Sequence, residues 1–436
     1  MTLPPWQKPL RLRVFLAFWR LAWFLLMPVM LGYLWHRGRR DPLYRQRLGQ
    51  RFGVHAKRNT PHIWIHAVSI GELRSAVPLI RAFLARGEHV VTTHFTPAGL
   101  REAEKVFAPE IAAGILTATY VPFDYGLAFR RFFRAFRPRF GLVMEVEFWP
   151  GMIAAARSND VPLFLCNGQY PVKSFNRDRD RALSPALLIP GFAGVMVKSD
   201  LQATRFAGLG QPHIAVTGEM RFEQPIPQDQ RDAARAARPA LTGDRPVITL
   251  ASVVEWEEDL FIAAIAETLK TGSNKPFFVL VPRAPERFET VARKLSQAGL
   301  TFAARSSILD NTLALTGTAN TDILLGDSLG EMYFYLALCD FAVAGGGFNP
   351  RGSHNIIEPL ALGKPVIVGP ETWTIEYPAV EAIAAGVARQ VSEKELVSAM
   401  SEPHLPTADQ IDTFLAAHAG AVQKTLQALK GWDVLG

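Results

Sequence analysis

The chain reads as an α/β protein of two doubly wound parallel-sheet domains in succession, behind an apolar N-terminal helix. Three observations predict this. From residue 62 onward, short β-branched and apolar runs alternate with longer amphipathic stretches, the pattern of βαβ units around a parallel sheet. A proline-containing, polar break between Gln224 and Arg245 divides that alternation into two series. At 436 residues the chain also exceeds what one hydrophobic core usually organises.

Residues 1–40 form the expected membrane anchor with its basic flank. From Leu21 to Trp35 the chain carries no charge, and extension back to Val14 admits only Arg20, giving about 20 residues, the length that crosses a bilayer. Arg20 and Pro28 leave both a spanning and an interfacial placement open. The net charge is +7, and its densest cluster, Arg37, Arg39, Arg40, Arg45, Arg47 and Arg51, directly follows the apolar stretch, which favours a membrane surface over nucleic acid as the partner. If the segment spans, this flank holds the body of the protein in the cytoplasm. No small-residue cleavage site follows, which argues against a secretory signal. A composition of 49% hydrophobic and 20% charged residues excludes a mainly disordered chain. Cys166 and Cys339 lie in apolar runs and read as buried small hydrophobes in a reducing compartment.

The first series, over residues 41–223, has candidate strands at 62–68, 89–95, 117–123, 140–146, 161–167, 194–199 and 213–218. The second, over 246–436, has strands at 246–252, 276–282, 322–327, 341–346 and 365–370, and ends in a helix at 408–429. Between them, 224–245 reads as a linker with a short helix. Two consecutive Rossmann-like domains are expected to face a shared cleft with the carboxyl ends of their strands, where open α/β sheets bind ligands. Function is therefore sought in the strand-to-helix loops.

In the first such loop, His66 to Arg74, Gly71 allows a tight turn and Glu72 enters the first turn of a helix, where the macrodipole favours its anion. Glu72 reads either as a well-placed first-turn residue or as a general base. The densest loop runs from Gly345 to Pro359. Its three glycines end a strand, so backbone N–H groups and the following helix end are expected to receive a phosphate, with Glu358 accepting from ribose hydroxyls. Ser252 and Glu255 follow the first strand of the second series, Arg283 and Arg287 the second, and Asp327 to Glu331 the third. Arg283 is the candidate ligand for phosphate or carboxylate, since a guanidinium donates bidentately to either. Arg287 reads equally as a salt-bridged helix residue. Walker A, G-x-G-x-x-G, H-E-x-x-H and G-x-S-x-G are absent. Asp178-Arg179-Asp180 imitates a metal-binding D-x-D but lies in an arginine-rich segment away from a strand end. Basic segments lack the aromatics of nucleic-acid platforms, except Phe129 to Phe140, which reads as a helix whose apolar face suits lipid headgroups as well.

Taken in order, these segments resemble the Kdo transferase family, which moves 3-deoxy-D-manno-octulosonic acid (Kdo) from CMP-Kdo to the lipid A precursor lipid IVA. The likeness runs over nearly the whole chain: Tyr44 to Leu48, Arg51 to Gly53, His66 to Glu72, Thr92 to Gly99, Tyr120 to Tyr125, Met144 to Pro150, Val216 to Phe222, Ala251 to Glu258, Val281 to Phe288, Gly326 to Asp340 and Gly345 to Pro370. It implies a GT-B type glycosyltransferase at the cytoplasmic face of the inner membrane, inverting, with no metal and no other cofactor. It also implies Glu72 as the general base, with Ser69, Gly71 and Arg74 toward the acceptor. Ser252, Glu255, Arg283, Gly346, Gly347, Asn355 and Glu358 would hold the donor. The chain departs from the family where Val254 and Ala284 replace histidines, where Arg221 replaces lysine, and where Asn167 to Pro171 replaces an Asn-Ala-Arg-Leu-Ser segment. Those departures leave open a related transferase with another activated sugar or lipid. A reading of another class, a non-catalytic CMP-sugar or lipid-binding paralogue, is disfavoured by the retained Glu72.

Overall fold

A computed structural model describes residues 6–179, 181, 184–271, 275–317 and 320–435. It divides into two compact units. The first comprises Met1–Gln224 with Gly420–Gly436, and the second Pro225–Ala419.

The first unit is built on a parallel sheet of seven strands, β1 (Ile63–His66), β2 (Val90–His94), β3 (Leu116–Tyr120), β4 (Phe140–Met144), β5 (Leu163–Gly168), β6 (Gly194–Val197) and β7 (Ile214–Val216). Their order is β3-β2-β1-β4-β5-β6-β7. Helices cover both faces of a parallel sheet, so its inner strands are apolar throughout rather than alternating; every residue of Ile63–His66 and Phe140–Met144 is buried. In the second unit β8 (Val247–Val253), β9 (Phe277–Pro282), β10 (Phe302–Ala304), β11 (Ile323–Leu325), β12 (Phe341–Ala344), β13 (Val366–Val368) and β14 (Ala388–Gln390) form a second parallel sheet. Its order is β10-β11-β9-β8-β12-β13-β14. All twelve strands expected from the sequence are present. The two it missed, β10 and β14, are the edges of the second sheet, and neither Phe302–Ala304 nor Ala388–Gln390 carries a β-branched residue, unlike the equally short β7, β11 and β13.

The helices that carry the site or close the two cores are α1 (Leu10–Arg37), α2 (Ile70–Ala85), α3 (Gly126–Phe136), α4 (Pro150–Ser158), α5 (Gln228–Thr242), α6 (Glu258–Thr271), α7 (Ile357–Ala361) and α8 (Ala421–Gly431). α1 is long and apolar enough to cross a membrane. One stripe of it is nevertheless docked on the first unit at helical spacing. Leu12 and Leu16 join the core formed by Phe129, Phe132 and Ile153. Trp19 Nε1 donates to Asp124 Oδ2 at 2.7 Å, and the Trp23 ring lies 5.6 Å from that of Phe123. The opposite stripe is bare, with Phe24 79% and Val29 67% exposed.

The structure differs from the sequence boundaries in two places. Residues 224–245 do not form a linker: α5 buries Ala234, Ala237 and Leu241 in the core of the second unit and pairs Arg238 with Asp340 at 2.8 Å. The chain's last helix, α8, belongs to the first unit although its sequence follows the second. The Trp432 ring beyond it stacks on Phe164 at 5.4 Å, and Val422 N donates to Glu223 at 2.9 Å. Gly194 makes room for that indole, since a Cβ there would come within 3.0 Å of it.

Candidate active site

Strand order reverses between β1 and β4 in the first sheet and between β8 and β12 in the second, and such points open a crevice at the strand ends. In each unit the loops beside that point carry the residues singled out from the sequence.

In the first unit β1 runs into α2. Ser69 caps that helix, its Oγ accepting from Glu72 N at 3.3 Å, and in return it donates to Glu72 Oε1 at 3.1 Å. Val68 N donates to Glu72 Oε2 at 2.6 Å, so the side chain folds back over its own loop. Burial pushes the Glu72 carboxyl up to about 7; the Val68 and Ser69 bonds oppose that shift, while the nearby carboxylates of Glu147 and Glu145 add to it. Gly71 has an ordinary backbone, and a Cβ there would meet nothing nearer than Ser69 Oγ at 3.9 Å, so the turn does not require glycine. Arg74 lies on the exposed side of α2 and pairs with Glu102 at 2.8 Å.

The loop after β4, part of the Met144 to Pro150 segment, supplies groups that were not singled out from the sequence as site residues. Glu147 accepts from Trp149 Nε1 at 2.6 Å, and burial raises its pKa. The Trp149 ring stands edge-on to His66 at 5.1 Å. His66 is fully buried; desolvation lowers its pKa to about 3, so the ring is neutral, and its Nε2 has no partner among the described residues. Glu145 takes a left-handed backbone at φ 58° and accepts from Arg221 at 2.8 Å, while Arg221 Nε donates to Ser75 Oγ at 2.9 Å and so ties β4 to α2. Beneath them Lys198 pairs with the buried Glu219 at 2.7 Å, and Asn167, also left-handed at φ 54°, donates to Glu219 at 2.8 Å. Left-handed non-glycine residues at strand ends are costly and collect at functional sites. Only the structure reveals them.

Within the departure at Gly168 to Pro171, Tyr170 serves packing. Tyr170 is 1% exposed, packs on Phe148 and Phe206, and donates its hydroxyl to Asp178. Asp178 also receives Arg177 at 2.7 Å, so this carboxylate of the imitated D-x-D is already engaged; Asp180 lies outside the described residues.

In the second unit, Glu257 is the residue missed. It is fully buried just before α6, and its carboxylate accepts from Gly346 N at 2.6 Å and Phe348 N at 2.7 Å. Burial raises its pKa and the two amides resist that rise. Those amides, expected to meet a phosphate, therefore donate to an internal anion. The glycines are required by close approach instead. At Gly346, with φ 89°, a Cβ would lie 2.6 Å from Gly352 O; at Gly347 it would lie 2.9 Å from Gly369 N. Ser252, next to last in β8, has a left-handed φ of 58°.

Arg283, after β9, holds the imidazole of His354 from the glycine loop, Nη1 lying 2.7 Å from Nε2. Burial, then the guanidinium itself, lowers the His354 pKa to about 4, so the ring is a neutral acceptor and the net charge of the pair is that of Arg283. Arg351 lies over the Trp256 ring at 3.7 Å. Asn355 Oδ1 accepts from Ile357 N at 2.9 Å and so starts α7, on which Glu358 is half-buried. Glu255 faces solvent and pairs with Arg287 at 2.8 Å, which also grips Glu258 at 2.7 Å. Arg287 is thus a salt-bridged residue. Asp327 and Glu331 serve local structure, bonded to Ser306 and Arg305.

A family model described as 3-deoxy-D-manno-octulosonic-acid transferase matches residues 46–224. A 3-deoxy-D-manno-octulosonic acid transferase of Bordetella pertussis is 38% identical over 425 residues, 93% of this chain and 97% of the relative. One from Haemophilus influenzae is 29% identical over 353 residues, 79% of this chain and 80% of the relative. Among solved structures, a glycosyltransferase from Rickettsia africae superposes with a TM-score of 0.55 at 11% identity, covering 86% of this chain and 98% of that one. The UDP-GlcNAc 2-epimerase of Neisseria meningitidis gives 0.57 at 13% identity, with 85% and 100% covered. At such identities the structural likeness is one of fold, the GT-B arrangement of two Rossmann-like units.

Proposed function

The chain belongs to the 3-deoxy-D-manno-octulosonic acid transferase family, and from that premise we propose that it transfers Kdo from CMP-Kdo to lipid IVA, inverting the anomeric carbon without a metal. The observation that carries the reading is Glu72, a carboxyl poised at about 7 in the first turn of α2. A base must take the proton of the acceptor hydroxyl as its oxygen bonds to the anomeric carbon, and a group with a pKa near the working pH does this best. The bond to CMP breaks in the same step and CMP leaves with the electron pair. The proton ends on Glu72.

The donor carries a phosphodiester and a carboxylate. Arg283, oriented by neutral His354, is the cation that meets them. Ser252, Gly346, Gly347, Asn355 and Glu358 shape the site around the nucleotide, and Glu255 acts through Arg287. Ser69 sets the rotamer of Glu72, and Gly71 and Arg74 form the acceptor side of α2. The apolar face of α1 keeps the enzyme at the inner membrane, with its basic flank toward the cytoplasm. A second reading, another activated sugar or lipid, is favoured by Gln169, which stands where the family has arginine, and by the missing imidazoles at Val254 and Ala284.

The test is incubation with CMP-Kdo and lipid IVA, read by mass spectrometry of the lipid. Wild type gains one or more Kdo masses, Glu72→Gln gains none, and a chelator changes neither. A gain with a different activated sugar, but none with CMP-Kdo, establishes the second reading.

A further inference from the structure

The docked stripe of α1 leaves space between itself and the first unit. An inner pocket of about 230 Å3 is lined by Trp19, Trp23 and Met30 of α1 and by Phe95, Phe148 and Trp149 of the strand-end loops. Trp23 also lines an outer, open groove of about 1060 Å3 between α1 and the start of α3, bounded by Leu31 and Leu127 and flanked by Arg20 and Arg130. The lining is overwhelmingly apolar apart from those two arginines and the capped Asp124.

The inner pocket ends on the residues that surround Glu72. Its Trp149 donates to Glu147, one of the two carboxylates that act on Glu72, and abuts His66. Its Phe95 donates through N to Val68 O at 3.4 Å, and Val68 N in turn donates to Glu72. The outer groove opens beside the bare face of α1, where Phe24, Leu25 and Val29 are exposed.

We propose that this slot is the acyl-chain site of the lipid acceptor: a chain leaves the bilayer along the bare face of α1, lies between Leu31 and Leu127, and reaches past Trp23 toward Trp149, which brings the sugar headgroup to Glu72. Arg20 and Arg130 stand at the rim, where an anionic headgroup phosphate meets them. The assignment rests on the acceptor being a lipid. It commits to the acceptor's own chain because the inner end of the slot touches the residues around the base, a place where a bulk phospholipid has no role.

The experiment uses the full chain in phosphatidylethanolamine/phosphatidylglycerol vesicles. Trace lipid IVA carrying a diazirine in one acyl chain is irradiated, and labelled peptides are mapped. The expected label falls on Trp23 to Leu31 and Phe123 to Leu127 and is competed by unlabelled lipid IVA. Two variants, Leu127→Glu and Gly126→Phe, reduce capture at least tenfold. Position 127 is 46% exposed and a Cβ at 126 meets nothing within 4 Å, so both tolerate change. Both variants also raise KM for lipid IVA at least tenfold, while turnover of its deacylated disaccharide is unaltered. Equal labelling by a diazirine phospholipid that lipid IVA does not displace, or label elsewhere, overturns the proposal. CMP-Kdo added to the same vesicles separates the two readings: transfer without capture in the slot removes the slot alone, and specific capture without transfer removes the reaction alone.

Discussion

At the scale of single residues, burial tunes the groups that matter. Glu72 binds its proton more tightly in the folded chain than in the unfolded one, about 7 against an ordinary 4.5. Between those two values stability therefore falls as pH rises, and above about 7 the loss is complete. Glu72→Gln should unfold at a higher temperature than wild type at pH 8, by a stability gain on the order of 1–3 kcal/mol, with the difference gone below pH 4. Wild-type kcat/KM should climb about tenfold per pH unit below 7 and level off above it. A variant that is both inactive and stabilised at pH 8 fits a base held at a cost. One that is inactive and destabilised would mark Glu72 as a structural residue. Glu257 differs, because it acts through the glycine loop. Glu257→Gln keeps one acceptor but turns an NH2 toward the second amide, at about 1–3 kcal/mol. KM for the donor should rise roughly ten- to a hundredfold, the equivalent of that energy, with kcat little changed, in steady-state kinetics. Glu72 could be picked out from the sequence because a glycine and a helix start mark its loop. Glu257 could not, since Glu258 beside it is buried too and nothing in the run Glu255 to Asp259 says which carboxylate meets the amides of the glycine loop.

At the scale of elements, apolar periodicity located all the longer strands, and a partner was legible only where sequence neighbours were also spatial neighbours. α1 shows the limit. Its sequence is apolar all round, so the docked stripe of Leu12, Leu16, Trp19 and Trp23 cannot be told from the bare stripe of Leu10, Phe24 and Val29 without the surface it meets. The bond from Trp19 to Asp124 pins that docking. Asp124 already accepts Gly151 N and Met152 N at the start of α4, and burial pushes its carboxyl up to about 6. Trp19→Phe should keep the fold and lower stability at pH 7 by about 1 kcal/mol through the lost donor; because the lost bond also lets the Asp124 pKa rise further, the deficit should shrink as pH falls through 6. Thermal melts at pH 7 and 5 check this. α8 and α5 were misplaced for a related reason: their amphipathic patterns say that they pack, not on which core.

At the scale of the whole molecule, the second unit is one unbroken stretch of chain and the first is not. Pro225–Ala419 expressed alone should therefore unfold cooperatively, whereas a chain ending at Gln224 should aggregate or bind hydrophobic dyes, because it leaves Phe164 and Met220 without Trp432, Ala421 and Leu429. The two sheets and their switch points were legible as wholes, since each rests on strands that follow one another closely. The return of the last helix was not, because a contact between residues 164 and 432 leaves no local trace in sequence.

That return also sets an order of events on the ribosome. Domains fold as they emerge, usually the N-terminal one first. Here the apolar α1 and the seven strands of the first sheet leave the exit tunnel early, yet the indole that closes their core emerges only after all of Pro225–Ala419. The second unit is complete in sequence before the first, and throughout its synthesis the nascent first unit carries an open patch around Phe164.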